Sequence, residues 1–452
     1  MPLWQGGAVR HVSMKQPESG KEQIKKMKIL KFDKAVNEAA FGRMADLAQE
    51  SHPYVIVIPT PDNIEKLRQD ISVRVLRDYS PADEAIDKIE DRIMAATAAY
   101  GCADDAGLCS HIKKRLAKVR LIAKGADISA PDREIRRELS LLTCDLMCAF
   151  LARRGLRAKT LDTSMLMQVN QEDRIDIPYA RIAVRHHVND NRDAEIFVAP
   201  SLLCRGLSET PCFIDRRRSD YYAVAIAAAF NADKVSIVGK PVTDMPSTSD
   251  CQSRTLTYEE AENIVDTGSY IIYMDSITLA CRRSIELKFY DSSNPSNVVL
   301  TVGHHDDTPI KTIHIKNGLT FVRFTSLHQL PDFLFIGRVF KAIDRFKADI
   351  VAMSSSAASV AMMVSASRDA IRLIQKDLSD VAEMVADNGM ALVRIIGSTS
   401  WERVHLETVI MDSIRDFPVS FISFGDTSQC FTLAVRTADS QKIVERLKAI
   451  KA

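Results

Sequence analysis

The sequence lacks the features that mark membrane, secreted and nucleic-acid-binding proteins. No apolar run approaches the ~18 residues of a membrane-spanning helix, and residues 1–26, which we expect to be a disordered leader, contain no hydrophobic signal core. The nine cysteines form no CxxC pair, which indicates reduced thiols in a cytoplasmic protein. Because the formal net charge is only +1, no global field favours nucleic acid or a membrane as a partner.

The patterns that are present indicate a large α/β domain. The chain has 452 residues, of which 46% are hydrophobic and 26% charged, enough for two or three domains with full cores. Strand-like runs at 28–32 and 54–58 enclose a predicted helix at 37–50, an order typical of a parallel sheet. Residues 64–154 are helical by pattern, and 181–184 and 196–199 are predicted as short strands.

The character of the chain changes after about residue 302. Two units with the order β-α-β-β-α follow, with boundaries at 310–388 and 389–452, and this repeat is typical of ferredoxin-like modules. The loop that precedes them, 303–309, contains His304, His305, Asp306 and Asp307. These side chains could ligate a divalent metal, but a polar loop between domains is the favoured interpretation, and no metal site is predicted.

The most informative segment carries three consecutive arginines, in the order CFIDRRRSDYY at residues 212–222. A small-residue helix, 223–230, is predicted directly after it. Free backbone N–H groups, the helix dipole and guanidinium groups together attract carboxylates and phosphates at such a position. The alternative is a solvated basic turn.

This segment, read as F-x-x-R-x-x-S-D-Y-x-A, resembles the GRGGSDYSA loop of aspartokinases, in the amino-acid kinase family. In that family the Arg, Ser and Asp hold the substrate amino acid, and the matching residues are Arg216, Ser219 and Asp220. Weaker matches follow the family's order: residues 28–32 (KFGGTS strand), 256–261 (LSYxEA helix start), 293–295 (FNP turn), 317–320 and 335–340 (first ACT module) and 422–425 (second ACT module).

The resemblance covers the chain from Met27 onward and implies both a fold and a reaction. The implied fold is a three-layer α/β/α kinase domain with a mainly parallel sheet, residues 27–302, followed by two ACT modules. The implied reaction is ATP-dependent phosphorylation of L-aspartate to 4-phospho-L-aspartate, the first step of lysine, threonine and methionine biosynthesis, with ATP and magnesium as cofactors. Lys31 matches a catalytic lysine near the transferred phosphoryl group; the alternative is a strand-end lysine that points into solvent.

Several residues that the family uses for phosphate, nucleotide and amine contacts are replaced. The replacements are Asp33 and Lys34 for two glycines, prolines in the 59–63 loop, Ser140 for a glutamate, residues 239–243 for the acidic TDVDG loop, and Tyr270 and Tyr273 for a lysine and a histidine. Glycine lets backbone N–H groups approach phosphates, whereas Asp33 adds a Cβ and a negative charge. We therefore expect a catalytically impaired homologue that works by binding, with a catalytic paralogue as partner.

Two other interpretations remain open: an active aspartate kinase with a rewired nucleotide site, and an amino-acid sensor without a kinase partner. If the kinase is inactive, no cofactor is expected.

The ACT resemblance also implies an effector site and a homodimer. A lysine or threonine effector would lie against the start of the helix at Asp332, Phe333 and Leu334, with Asp349 and Ser354 on the next strand as further contacts. Backbone N–H groups behind Pro331 would receive its carboxylate. The alternative for Asp349 and Ser354 is a polar strand end.

Overall fold

The structure is a computed structural model. It describes residues 27–34, 40–75, 80–99, 101–124, 130–240, 254–266, 272–291, 297–304, 310–328, 330–356, 358–398, 405–424 and 430–450. The expected leader, most of the His-Asp loop, the replaced loop beyond residue 240, the FNP-like turn and Tyr270 lie outside these residues. Within the described part of the chain, no helix combines the length and the apolarity needed to cross a bilayer.

The elements of the first half alternate between strands and helices. Its strands are β1 (Lys28–Phe32), β2 (Val55–Ile58), β3 (Ala158–Thr160), β4 (Ile196–Pro200), β5 (Leu203–Arg205), β6 (Pro211–Phe213), β7 (Lys234–Val238), β8 (Arg254–Leu256), β9 (Glu286–Tyr290) and β10 (Val298–Val302). Its helices are α1 (Ala40–Ser51), α2 (Asp62–Val75), α3 (Ser80–Ala99), α4 (Ala106–Ala123), α5 (Pro131–Arg153), α6 (Ile177–Asp190), α7 (Ser219–Phe230), α8 (Tyr258–Asp266) and α9 (Met274–Arg283).

The second half continues the numbering. Its strands are β11 (Thr312–Ser326), β12 (Asp349–Ser355), β13 (Ser359–Ser365), β14 (Ala382–Ile396), β15 (Val419–Phe424) and β16 (Cys430–Arg436). Its helices are α10 (Asp332–Arg345), α11 (Arg368–Asp377), α12 (Leu406–Ile414) and α13 (Thr437–Lys448).

An eight-stranded sheet forms the middle layer of the first half, in the order β3-β4-β2-β1-β7-β9-β10-β8. All neighbouring pairs are parallel except β9 with β10. Successive residues of β1 alternate between two hydrophobic cores: Ile29 packs into one and Leu30 into the other. Both faces of the sheet are covered, so the central strands β2 and β4 are continuous apolar runs, and the three-layer α/β/α prediction is confirmed.

The second half is built on one continuous antiparallel sheet, ordered β12-β13-β11-β14-β16-β15. The long strands β11 and β14 pair along their whole lengths, with register shifts near Gly318. Residues 312–316 pair with 392–396 beside β16, whereas 320–326 pair with 382–388 beside β13. The first ferredoxin-like unit is therefore inserted in the sequence of the second unit. The edge strand of the second unit, residues 312–316, comes before the whole first unit in the chain.

Helix α8 joins the two halves. Thr257 and Glu260 form a capping box: Thr257 N donates to Glu260 Oε2 (2.8 Å), and Glu260 N donates to Thr257 Oγ1 (3.1 Å). The same Glu260 oxygen accepts from Lys311, whose side chain is 7% exposed, at 2.8 Å. At the other end of α8, Asp266 accepts from Arg394 of β14 at 2.6 Å. Both ends of this first-half helix are thus held by residues of the second half.

The predicted strand at 181–184 is wrong, because these residues lie within helix α6. The carboxylate of Asp176 caps this helix by accepting from Tyr179 N, and Pro178 occupies its first turn. Ala180 and Val184, four positions apart, provide the buried face. The local cap and the 3.6-residue period outweigh the strand preference of a short apolar run.

Candidate active site

A cleft of about 610 Å³ opens where the carboxyl ends of β1, β2 and β4 meet. Its lining is mostly charged and comprises Lys31, Asp33, Lys34, Pro59, Thr60, Asp62, Glu65, Arg136, Ser140, Ser201, Leu202, Phe213, Arg216, Arg217, Ser219 and Lys240. Ligands of open parallel sheets bind at this edge, because the loops that follow the strands converge there. Of the predicted site residues, the structure brings Lys31, Arg216 and Ser219 to this cleft.

The cleft floor, which we define as Lys31, Asp33, Ser219, Asp220 and Lys240, is a buried network. Lys31 is fully buried, and its Nζ donates to Asp220 Oδ1 (2.6 Å), Asp33 Oδ1 (2.9 Å) and Ser219 Oγ (3.1 Å). Lys240 binds the other oxygen of Asp220. Strand β1 and the start of α7 therefore meet through one lysine, and Lys31 does not point into solvent.

Lys31 has no N–H left to offer a ligand in this arrangement. An ammonium group carries three donors, and the three acceptors Asp33, Ser219 and Asp220 match that number. One acceptor comes from Asp33, at the position where the resembled family has glycine. The carboxylate thus occupies a place that a phosphate oxygen would need if Lys31 were to bind one.

The ion pairs of the cleft floor stabilise the charged forms of Lys31 and Asp220. Burial opposes the charge on Lys31, but Asp220 and Asp33 outweigh it and raise the pKa of this lysine. Burial likewise opposes the charge on Asp220, yet Lys31 and Lys240 lower the pKa of its carboxyl. Each group therefore stays ionised because its partners are close, as expected of a well-matched buried cluster.

Sequence reasoning missed Lys240 as a cleft residue. It noted the loss of the acidic pattern at 239–243, but not that one replacement adds a cation directly after β7. Position was the available signal, since β7 pairs with β1 and its carboxyl end adjoins that of Lys31's strand.

The cleft rim, which we define as Arg136, Arg216 and Arg217, is more open. Arg216 is 74% exposed and approaches Asp62 at 3.6 Å, and Arg217 pairs with Asp215 at 3.0 Å. The guanidinium of Arg136 stacks on the ring of Phe213, 3.9 Å from its centroid. Burial lowers the pKa of Arg136, and the neighbouring cations Arg68 and Arg216 lower it further, against an opposing effect of Glu65. A bound anion would relieve this repulsion.

The three arginines do not act together. Residues 216–218 form a single 3₁₀ turn, and its third residue, Arg218, points inward and is 8% exposed. Its guanidinium donates to the carbonyl of Asp173 (2.7 Å) and to Asp275 of α9 (3.0 Å), so it anchors the loop. The expectation of a three-arginine anion site is corrected to two arginines of the triplet at the cleft.

Helix α5 presents different side chains to its two sides. Ser140 faces the cleft, where its hydroxyl lies 3.0 Å from that of Thr60. Glu138 faces a separate cavity and binds Arg115 (2.8 Å) and Lys118 (2.5 Å). As the helical spacing predicts, Glu138 does not replace the family's glutamate in the cleft.

The predicted effector residues lie on the surface of the first ferredoxin-like unit. Asp332, Phe333 and Leu334 form the first turn of α10; Phe333 is 73% and Leu334 46% exposed. Asp349 and Ser354 lie at the two ends of edge strand β12 and are exposed. Their role in effector binding stays a prediction.

The described residues of the cleft do not fit a nucleoside triphosphate. All three N–H donors of Lys31 are engaged, Asp33 stands where the resembled family has a glycine, and the two prolines of the 59–63 loop offer no N–H donor. The described residues also contain no group of three or more His, Cys, Asp or Glu side chains arranged to hold a metal. The geometry supports no phosphoryl-transfer step through these groups.

No family model matches the sequence, and no curated protein is similar to it at a significant level. Solved structures, in contrast, define its class: the chain has the aspartokinase fold, a kinase-type α/β domain followed by ACT modules. The aspartate kinase of Clostridium acetobutylicum matches with a TM-score of 0.72 and 14% identity, over 94% of this chain and 98% of that one.

Two structures of Escherichia coli aspartokinase III match with 18% identity, over 94% of this chain and 99% of theirs. The complex with lysine and aspartate (T-state) gives a TM-score of 0.62, and the complex with aspartate and ADP (R-state) gives 0.60. The fold class predicted from the sequence is confirmed. At these identities the likeness establishes the fold, and the chemistry depends on the residues of the cleft.

Proposed function

We propose that this chain is a catalytically impaired aspartokinase homologue that binds an acidic amino acid, with L-aspartate as the first candidate, at the cleft rim. The observation that carries the proposal is the saturation of Lys31 by Asp33, Ser219 and Asp220. Phosphoryl transfer relies on positioned cations that neutralise the transferring group. A lysine whose three donors are engaged by its own protein supplies no such contact.

The rim supports ligand binding of a different kind. Arg216 and Arg136 border the same cleft, and guanidinium groups match the planar geometry of carboxylates. A dicarboxylate with one amine has a net charge of −1 and would relieve the mutual repulsion of these cations. Escherichia coli aspartokinase III has been solved with aspartate, which makes aspartate the natural first ligand to test.

An ATP- and aspartate-dependent hydroxamate assay tests the loss of catalysis. We expect turnover at least a thousandfold below that of the Clostridium acetobutylicum enzyme assayed alongside, because a carboxylate ~4 Å from a phosphate oxygen costs on the order of 4 kcal/mol. Turnover comparable to that enzyme would refute the proposal.

Ligand binding is tested separately by melting temperature. Aspartate and succinate should raise it, and Arg216→Ala should abolish the shift. Arg157→Ala serves as a matched control, because Arg157 is 69% exposed and pairs with Glu195, away from the cleft. Melting curves unchanged by aspartate, succinate and phosphate would reduce the arginine turn to a solvated surface feature.

A second candidate function, an active aspartate kinase with a rewired nucleotide site, is favoured by Lys240. Its ammonium lies in the cleft on the same carboxylate as Lys31 and supplies a cation where the resembled family has acids. The hydroxamate assay separates the two candidates: substantial turnover that Lys240→Met abolishes would select the rewired kinase.

The regulatory half is proposed to form a homodimer that binds a small amino acid, lysine or threonine, near α10 and β12. Exposed apolar side chains on this unit support an interface: Phe333, Leu334, Ile350 and Met353. We expect a dimer in light scattering, and Phe333→Glu should dissociate it. A catalytic paralogue in the host, and a place in lysine biosynthesis, belong to the same proposal and are tested by pull-down from that host.

Asp349 provides the effector test. Asp349→Ala should weaken lysine or threonine binding by about 2 kcal/mol, the value of a charge-assisted contact. Isothermal titration calorimetry measures this change, with Asp344→Ala as control, because Asp344 is also exposed but lies on the last turns of α10. Tight binding that Asp349→Ala leaves unchanged would place the effector site elsewhere.

A further inference from the structure

Two cysteines face each other in the hairpin that leads into the arginine turn. Strands β5 and β6 pair antiparallel, and Cys204 lies directly opposite Cys212. Residues opposite each other in an antiparallel pair share one face, with Cα atoms roughly 4.5–5.5 Å apart. This separation falls within the ~4.4–6.8 Å that a disulfide spans.

The hairpin needs only a small adjustment to form a covalent bond between the two sulfurs. It forms a two-stranded sheet of its own, apart from the eight-stranded sheet, and each strand is three residues long. Its tip, Leu207 to Glu209, is exposed. The Cβ atoms of opposite residues lie roughly 4.5–5.5 Å apart and need to approach to roughly 3.5–4.5 Å.

The environments of the two thiols differ. Cys204 is fully buried in the hydrophobic core, whereas Cys212 is partly exposed and lines a cavity of about 550 Å³ together with Arg133 and Gly206. A Cβ built on Gly206 would lie 3.9 Å from Cys212 Sγ, so the glycine leaves that flank of the sulfur without a side chain. A small oxidant can therefore reach Cys212 first. The buried Cys204 is the neighbouring thiol that can then react with the oxidised sulfur of Cys212.

We propose that Cys204 and Cys212 form a reversible, redox-sensitive disulfide that cross-links the two strands of the β5–β6 hairpin. The oxidant is a peroxide. The Cys212 thiolate attacks one peroxide oxygen, the O–O bond breaks and a sulfenic acid forms, while the departing hydroxide takes up the first thiol proton as water. The Cys204 thiolate then attacks the sulfenic sulfur, the S–O bond breaks and hydroxide leaves, which takes up the second thiol proton as water. Two thiols and one hydrogen peroxide thus give one disulfide and two waters.

The disulfide would affect the cleft through strand β6. Phe213, the residue after Cys212, lines the cleft and carries the stacked guanidinium of Arg136. Two residues further on, Asp215 accepts from Arg217 N and starts the arginine turn. Closing the hairpin limits the movement of this segment, so oxidation should change the melting shift that acidic ligands produce.

The rate of the reaction should depend on pH. Burial raises the pKa of Cys212, with Arg133 opposing this effect, and burial raises the pKa of Cys204 well above its ordinary value. Only the thiolate reacts, so the rate at neutral pH is slow and should rise by about tenfold per pH unit below the pKa of the attacking thiol.

The test is peptide mapping by mass spectrometry under non-reducing conditions, after treatment of the full chain with hydrogen peroxide. We expect a Cys204–Cys212 cross-linked peptide that dithiothreitol reverses and that is absent from both Cys204→Ala and Cys212→Ala. Cys144 and Cys148 are the matched control pair, because they are also close in sequence but lie four residues apart on helix α5, and they should stay reduced.

Two outcomes would overturn the proposal. One is Cys212 that is oxidised to sulfinic acid without any cross-link, and the other is a pair of thiols that both remain reduced at pH 9 while the exposed Cys281 is oxidised. Because neither readout requires kinase activity or ligand binding, the result is independent of the proposed function.

Discussion

The floor and the rim of the cleft differ in how their charges are used. On the floor, Lys31 and Asp220 are 1% exposed at their side chains and are bound by partners within the protein. On the rim, Arg216 is 74% exposed, and its ion pair with Asp62 measures 3.6 Å. The floor is thus a closed network that stabilises the fold, whereas the rim keeps cations that a ligand can reach. The proposal of lost catalysis with retained binding depends on this difference, because the two tasks would use different atoms.

Removal of Lys31 should have the largest effect on stability. Lys31→Met leaves Asp33 and Asp220 without their shared cation, and the loss of one partner from a buried ion pair costs about 3–5 kcal/mol. Urea denaturation measures the free energy of unfolding. The neighbouring Lys34 is exposed, so Lys34→Met should change this value by less than about 0.5 kcal/mol. Equal effects of the two substitutions would mean that the buried ion pairs of Lys31 do not stabilise the fold.

The arginine turn allows the same comparison within three residues. Arg218→Ala should reduce the free energy of unfolding by about 2–3 kcal/mol, because Asp275 Oδ2 and the Asp173 carbonyl lose the hydrogen bonds that Arg218 donates. Arg216→Ala should change it by less than about 0.5 kcal/mol and yet abolish the aspartate-dependent melting shift. If Arg218→Ala unfolds as the wild type does, the assignment of Arg218 as an anchor is wrong.

The pH dependence of stability should also reflect the floor. The pKa of Asp220 is lowered from 3.8, so its contribution is complete above this value and is lost as the pH falls through the folded-state pKa. The pKa of Lys31 is raised from 10.5, so its contribution is complete below this value and is lost as the pH rises further.

Denaturation of wild type and Asp220→Asn across the acid range measures the first effect. The variant should be less stable at neutral pH and show a shallower loss of stability in acid. Parallel curves for the two proteins would mean that Asp220 does not carry this acid dependence.

Local patterns predicted much of this fold. Strand β1 has the predicted bounds, and the spacing of Thr257 and Glu260 is that of the capping box they form. These features depend on residues a few positions apart. The sheet insertion depends instead on the pairing of residues 312–316 with 392–396, about 80 positions later, which a local period does not encode.

The residues of the site were predicted better than the hydrogen bonds that join them. Arg216, Ser219 and Lys31 reach one cleft, but the bonds from Lys31 to Asp33 and Asp220 join residues up to 189 positions apart. The sequence indicated that Asp33 replaces a glycine; its use as an acceptor for Lys31 required the geometry. The inward turn of Arg218 was missed for the same reason, since its partner Asp275 lies on another helix.

If the carboxylate of Asp33 blocks phosphate binding by engaging Lys31, its removal in Asp33→Gly should restore that binding. The substitution frees one ammonium donor and removes a negative charge from the phosphate position. Asp33→Asn is the matched control, because it removes the charge but keeps an oxygen that can accept from Lys31. Isothermal titration calorimetry with ATP and magnesium should show no measurable binding for the wild type, weak binding for Asp33→Asn and at least tenfold tighter binding for Asp33→Gly. Wild-type binding as tight as that of Asp33→Gly would contradict the account.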